Sequence, residues 1–235
     1  MSDPAAPAQS SNAPDWLRLM EALVRARHTP ISGPLRTVQE KHSMLHTDVL
    51  MLLYHFARTG RGGILEVGPY LGGSTIAMAW GLRDAEGSGG KPDPARPLVT
   101  IEPGGKFPEH PSRPSDDILR DLRRNLAKRE AEAWVTLVEG YSWDEKATGP
   151  KVRRALKPGS VGLVFLDADG SVERDLSLFG DLLRPDCAVV VDDYLGSELK
   201  SGPTREQVDA RVAAGTLEPY GIYGWGTWVG RRRAA

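Results

Sequence analysis

The strongest constraint on the fold is a series of short, continuous apolar runs that end in polar or glycine-rich turns and alternate with helical patterns. Residues 64–67, 98–102, 135–138, 161–166 and 188–191 are such runs. Four to six apolar-rich residues without period-two alternation belong to strands buried on both faces. Helical spacing appears between them, over residues 74–82, 116–133, 151–156, 172–183 and 204–214, with Ser115 the expected N-cap of the second. Strands alternating with helices fold as a mostly parallel sheet covered on both faces. Two aromatic-rich strands, near residues 220–223 and 227–229, close the chain. The expectation is a doubly wound α/β fold: seven strands, mostly parallel, with an antiparallel C-terminal strand and helices on both faces.

Residues 1–15 are rich in Pro, Ala and Ser and read as a disordered tail. Residues 16–235 read as a single domain. Within it, helices at 16–27 and 35–58 shape a substrate pocket, and residues 59–235 form the core. A chain of 235 residues buries roughly 70–75% of its unfolded surface, so it needs no disulfide or metal to fold. Its single cysteine, Cys187, excludes an internal disulfide framework and any multi-cysteine zinc site, and reads as a buried, inert thiol. The N-terminus has neither the basic nor the apolar region of a secretory signal. No stretch approaches the roughly 20 apolar residues of a membrane span. The expected location is the cytoplasm, with no membrane partner. With 30 Lys+Arg against 31 Asp+Glu, nothing attracts nucleic acid in bulk. Arg231, Arg232 and Arg233 read as a solvated tail. The N-terminal helix and the aromatic C-terminal strands offer apolar surface for a homodimer.

In such sheets ligands bind beyond the carboxyl ends of the strands, so the strand ends carry the functional signal. The first strand ends Glu66-Val67-Gly68-Pro69-Tyr70-Leu71-Gly72-Gly73-Ser74. Glycines there permit a sharp turn and close approach to a ligand. Taken alone, the run also reads as an ordinary strand-to-helix turn. It is not a phosphate-binding P-loop, and its Gly-x-x-x-Gly-Gly spacing is not the dinucleotide fingerprint. The second strand ends in Glu102, placed to accept hydrogen bonds from ribose hydroxyls. Together these suit an adenosine ligand without a pyrophosphate. The fourth strand ends at Asp167-Ala168-Asp169-Gly170 and the fifth at Asp192-Asp193-Tyr194. Asp167, Asp192 and Asp193 therefore converge on one edge of the sheet, where their mutual repulsion would be relieved by a hard cation: Mg²⁺, Mn²⁺ or Ca²⁺.

These segments carry a resemblance. ILEVGPYLGGST, VTIE, VEGYSWD, VFLDADG and LLRPDCAVVVDDY, in unbroken order within residues 35–195, resemble class I S-adenosylmethionine-dependent methyltransferases with a Rossmann-like core. Within that class they look most like metal-dependent O-methyltransferases of the catechol and bacterial antibiotic-tailoring types. The resemblance implies that Glu66, Gly68, Tyr70 and Ser74 surround the methionine part of S-adenosylmethionine. It implies that Glu102 holds the ribose and that Ser142 and Trp143 flank the adenine. It places Asp167 beside both cofactor and metal, and Asp167, Asp192 and Asp193 as ligands of Mg²⁺ or another divalent cation. Residues 44–47 resemble the stretch that covers the cofactor.

The implied reaction is methyl transfer to a hydroxyl of a small molecule, such as a catechol or another vicinal diol, in natural-product chemistry. Many relatives carry a Lys or His three residues after the first metal aspartate, as general base; here that position is Gly170. Asp169 is the nearest substitute and is taken, with Asp167, as catalytic. His46 and His110 are other sources of a base. Residues 195–203 read as a mobile lid. Tyr194 is open between substrate contact and packing, whereas Trp80, Trp134 and Trp228 read as packing. Two alternatives stand beside this reading: an NAD(P)-dependent oxidoreductase, and a cofactor-binding methyltransferase fold without catalysis.

Overall fold

The computed structural model describes residues 15–87 and 90–233. Residues 1–14, the greater part of the expected tail, lie outside the described residues, as do residues 88–89 and 234–235. Asp15 does not belong to a tail. It opens helix α1 (Asp15–Arg27), and its carboxylate pairs with Arg231 at 3.0 Å. Helices α2 (Ser32–His42) and α3 (Thr47–Thr59) follow where one continuous helix over 35–58 was expected. The break at residues 43–46 has a local cause. Ser43 is extended, and the His46 side chain caps α3 by accepting the Asp48 N–H.

Strand β1 (Gly63–Val67) leads into α4 (Gly73–Glu86), and β2 (Leu98–Glu102) into α5 (Ile118–Lys128). The N-cap of α5 is Asp117 rather than Ser115, because the Asp117 side chain accepts the Arg120 N–H at 3.0 Å, while the Ser115 hydroxyl donates to Asp121. Next come β3 (Val135–Glu139), α6 (Gly149–Ala155), β4 (Val161–Leu166) and α7 (Val172–Leu178). The chain closes with β5 (Leu183–Val191), α8 (Ser201–Ala213), β6 (Leu217–Tyr223) and β7 (Thr227–Arg232). The seven strands lie in the order β3-β2-β1-β4-β5-β7-β6. The pairings from β3 through β5 are parallel, and β7 runs antiparallel to both its neighbours. Strand order reverses between β1 and β4, which opens a crevice at their carboxyl ends.

Burial of both faces explains the absence of alternation. Ile64, Leu163, Phe165 and Val190 point into a cluster with Val49, Leu52, Leu53, Ile76 and Leu122 of α3, α4 and α5. Their sequence neighbours Leu65, Val67, Val164, Leu166, Val189 and Val191 point the other way, against Val152, Leu176 and Val208 of α6, α7 and α8. Burial of about 25 cal/mol per Å² of apolar surface on both sides makes this sheet the stabilising centre of the molecule. Cys187 lies inside β5, and burial pushes its thiol up to about 12, consistent with an inert side chain. The closing arginines are not a solvated tail. Arg231 pairs with Glu218 at 2.8 Å, and Arg232 donates to the Gly180 and Leu183 carbonyls. Among the described residues, no helix is long and apolar enough to cross a membrane.

Candidate active site

The two halves of the crevice are stitched together by backbone. Gly68 donates its N–H to Ile101 and Asp167 donates its own to Val67, so the ends of β2, β1 and β4 form one rim. Gly68 has φ +88°, and a Cβ there would lie 2.0 Å from the Asp167 carbonyl oxygen. Its glycine is therefore required by contact between strands as well as by any ligand.

Glu66 is fully buried, and its two oxygens accept the Ser74 and Thr75 hydroxyls at 2.5 and 2.6 Å. Burial raises its pKa, and those hydroxyls act against the shift. Its carboxylate is thus a strut that fixes the first turn of α4, with the Ser74 and Thr75 hydroxyl protons engaged on it. Gly72, at φ +91°, admits the chain into α4, and the Ser43 side chain lies directly against Gly73. The 43–46 break therefore packs against the glycine turn through Ser43.

Glu102 accepts backbone N–H groups from Gly104 at 2.9 Å and Tyr70 at 3.2 Å. Burial pushes it up to about 7, and the two N–H donors restrain the shift. Tyr70 takes a left-handed conformation, φ 50°, held at its other end by a hydrogen bond from its hydroxyl to the Arg113 carbonyl. Ser142 is buried, donating to Asp175 at 2.8 Å and accepting from Arg174 at 3.2 Å, so its hydroxyl is committed within the chain. Trp143 is 51% exposed and stacks on Tyr141, with ring centroids 4.9 Å apart, as an open aromatic platform.

At the ends of β4 and β5, one oxygen each from Asp167, Asp192 and Asp193 lie within 4.8 Å of one another. Burial, and then the charge of Asp192, raises Asp167 well above the usual carboxylate range. Burial also raises Asp192, while the Thr227 hydroxyl, donating at 2.5 Å, acts the other way. Asp193 is held in the left-handed region, φ 56°. The donor set is all oxygen and mutually repulsive, so it fits a divalent cation.

The cluster borders a cavity of about 680 Å³ whose walls include Met44, His46, Phe107, His110 and Trp225. Its described lining holds four acidic side chains, Lys200 and no arginine. A second groove, of about 390 Å³, opens at the opposite end of the sheet around Gly62, Gly162 and Arg184, away from every strand-end acid.

Asp169 does not join the cluster. Arg174 holds it bidentately at 2.8 and 3.1 Å, which outweighs burial and keeps its carboxyl below the usual range. A carboxylate so engaged is a poor proton acceptor. Nδ1 of His46 accepts the Asp48 N–H, and Nδ1 of His110 accepts those of Ser112 and Arg113. Each neutral ring then carries its proton on Nε2, which makes that atom a donor rather than a base. Tyr194 turns away to Asp209, to which its hydroxyl donates at 2.7 Å.

Lys200, which the sequence did not single out, sits at the aspartates instead. Its Nζ lies 2.6 Å from Asp193 and 3.4 Å from Asp167. Burial acts to lower its pKa, and the two carboxylates outweigh burial and hold it above the usual lysine value. Gly170 makes room for it: at φ +79°, a Cβ would come within 3.0 Å of Lys200 and Thr204. Residues 201–203 belong to α8 and not to a lid. Phe107, Trp225 and Thr227 were also missed, because Phe107 and Trp225 lie in connecting segments and Thr227 opens β7 instead of ending a parallel strand.

Residues 65–194 match the methyltransferase domain family, and the chain belongs to that family. Its fold is that of class I O-methyltransferases. A Staphylococcus aureus protein described as a caffeoyl-CoA O-methyltransferase superposes with TM-score 0.61 at 15% identity, over 92% of this chain and 99% of that one. TomG, an O-methyltransferase of tomaymycin synthesis from Streptomyces achromogenes solved with S-adenosylmethionine, gives 0.54 at 17%, over 94% and 91%. An O-methyltransferase from Bacillus cereus solved with S-adenosylhomocysteine gives 0.54 at 18%, over 95% and 93%. No curated protein sequence matches at a significant level. Membership of this family leaves the oxidoreductase alternative without support.

Proposed function

We propose that the chain is an S-adenosylmethionine-dependent, divalent-cation-dependent O-methyltransferase of a small vicinal diol or catechol. The observation that carries the reading is the convergence of Asp167, Asp192 and Asp193 at the mouth of the aromatic-walled cavity, beside the glycine turn. When bound, the cofactor supplies an electrophilic methyl group on a sulfonium. A divalent cation at the three aspartates would polarise the acceptor hydroxyl and ease its deprotonation.

This chain's residues would do the rest by positioning. Glu102 accepts the ribose hydroxyls, with Tyr70 and Gly104 keeping its carboxylate in place. Trp143 offers its exposed face to the adenine. Asp167 stands where the two halves of the crevice meet, so it can face cofactor and acceptor together. Phe107, His46 and Trp225 wall the cavity and would orient a planar acceptor and exclude water from it. The acidic, arginine-free lining disfavours phosphorylated and carboxylated acceptors.

Purified protein incubated with S-adenosylmethionine and a panel of catechols and sugar diols tests the reading. Mass spectrometry should find a singly O-methylated product with Mg²⁺ or Mn²⁺ and none with chelator. Undiminished turnover in chelator overturns the cation dependence. Cofactor binding without any methylated product favours the non-catalytic alternative.

A further inference from the structure

Lys200 is the N-cap residue of α8, and its side chain reaches back over the ends of β4 and β5. All three ammonium protons have acceptors: Asp193 at 2.6 Å, Asp167 at 3.4 Å and the Ala168 carbonyl at 3.2 Å. Two of those acceptors belong to the three-carboxylate cluster itself. A hard dication binds carboxylate oxygens at about 2.0–2.6 Å and uses the same lone pairs. An ammonium and a dication cannot share them, since at such separations like charges repel strongly even when partly screened. Gly170 lets residue 200 approach the end of β4 this closely, since a Cβ at 170 would meet the Lys200 Cβ and carbonyl oxygen at 3.0 Å.

The lysine also helps to fasten the segment that walls the acceptor cavity, beside the Ser201 N–H, which donates to the Glu198 carbonyl at 3.0 Å. Leu195 is tied by its N–H to the Gly226 carbonyl at 3.0 Å, and Lys200 ties the other end. Between them, Leu199 is fully exposed and Glu198 largely so.

We propose that Lys200 and the divalent cation are mutually exclusive occupants of the aspartate site, a claim that rests on the cation dependence proposed above. Cation binding expels the ammonium, and residues 195–199 lose one fastening as it leaves. Lys200 thus sets the apparent cation affinity and couples cation binding to the wall of the acceptor cavity. A site seated by lysine nine-tenths of the time binds its cation about tenfold more weakly than the open site.

The test is calorimetric titration of Mn²⁺ and Mg²⁺ into the full chain, with folding checked by circular dichroism. Lys200→Met keeps the stem and removes the charge, and Lys200→Gln serves in its place if the first variant does not fold. The neutral variant should bind Mn²⁺ about tenfold more tightly than the unsubstituted protein, whereas Lys200→Arg should not tighten it. Hydrogen exchange supplies a second readout. Mn²⁺ should speed exchange over residues 195–199 in the unsubstituted protein. In the neutral variant exchange should be fast from the start and unchanged by Mn²⁺. Equal or weaker Mn²⁺ binding by the neutral variant, with the unsubstituted protein still binding, overturns the competition and leaves the cation dependence standing. Absence of Mn²⁺ binding in both proteins overturns the competition and the cation reading together.

Discussion

The two halves of the crevice bury their acids in different ways. At the ends of β1 and β2, each carboxylate finds its partners within the chain: hydroxyls of Ser74 and Thr75 for Glu66, backbone N–H groups of Tyr70 and Gly104 for Glu102. At the ends of β4 and β5, three carboxylates face one another, and neutral donors are scarce, Thr227 serving Asp192. Hydrogen-bond donors stabilise a buried carboxylate without adding charge, so the first half needs no counter-ion. Three clustered negative charges require a positive one, so the second half demands a cation, which Lys200 supplies from within the chain.

The largest effect should come from breaking the cation-demanding half. Asp167→Ala removes the acid nearest both halves, and kcat/KM for an accepted diol should fall about 10³-fold or more, measured by product formation. Mn²⁺ binding should weaken in parallel. Activity within tenfold of the unsubstituted protein would remove the cluster from the chemistry.

In the self-satisfied half, Glu66→Ala leaves two buried hydroxyls without their acceptor and opens a cavity under α4. The expected cost is about 2–4 kcal/mol, read as a fall in the denaturation midpoint at constant slope. An unchanged midpoint would show that Glu66 is not the strut that its hydrogen bonds describe.

Glu102 makes the first half sensitive to pH. Its folded pKa, about 7, lies above the usual value of about 4.5, so its protonated form is the one that favours folding. Its contribution to stability is complete below about pH 4.5 and is lost as pH rises through about 7. Glu102→Gln should therefore be more stable than the unsubstituted protein at pH 8, with the difference closing towards pH 4.5. Hydroxyl donors from a ribose favour the ionised form. S-adenosylhomocysteine affinity should accordingly rise several-fold between pH 6 and pH 8 in the unsubstituted protein and stay flat in Glu102→Gln. A flat profile in both would break the assignment.

The smallest effect should come from Asp169→Asn. Its partner Arg174 already holds it, and the pair is half exposed, so stability should change by no more than about 1 kcal/mol. Turnover should fall no more than about threefold. A loss of two orders of magnitude would restore Asp169 as the base.

Much of this was open to a reader of the chain. Residues 64–67 and 161–166 show no alternation, which is possible only for strands covered on both sides, and the parallel sheet follows. Asp167, Asp192 and Asp193 were legible for the same reason: each ends such a strand, and parallel strands bring their ends to one edge. The break at residues 43–46 was harder to read. It depends on the His46 cap and on packing of Ser43 against Gly73, some thirty residues away.

The local pattern of apolar runs and acidic strand ends thus dictated the architecture and the place of the site, because both are written in unbroken runs of a few residues and in what ends them. What each acid does depended on folding. Glu66 became a strut once α4 turned two hydroxyls onto it. Asp169 was drawn away from the cluster by Arg174, which α7 places five residues further on. Lys200, some thirty residues from Gly170 in the chain, came to stand beside it. Electrostatic and hydrogen-bond partnerships are chosen across space, at a few ångströms, and spacing along the chain does not record them.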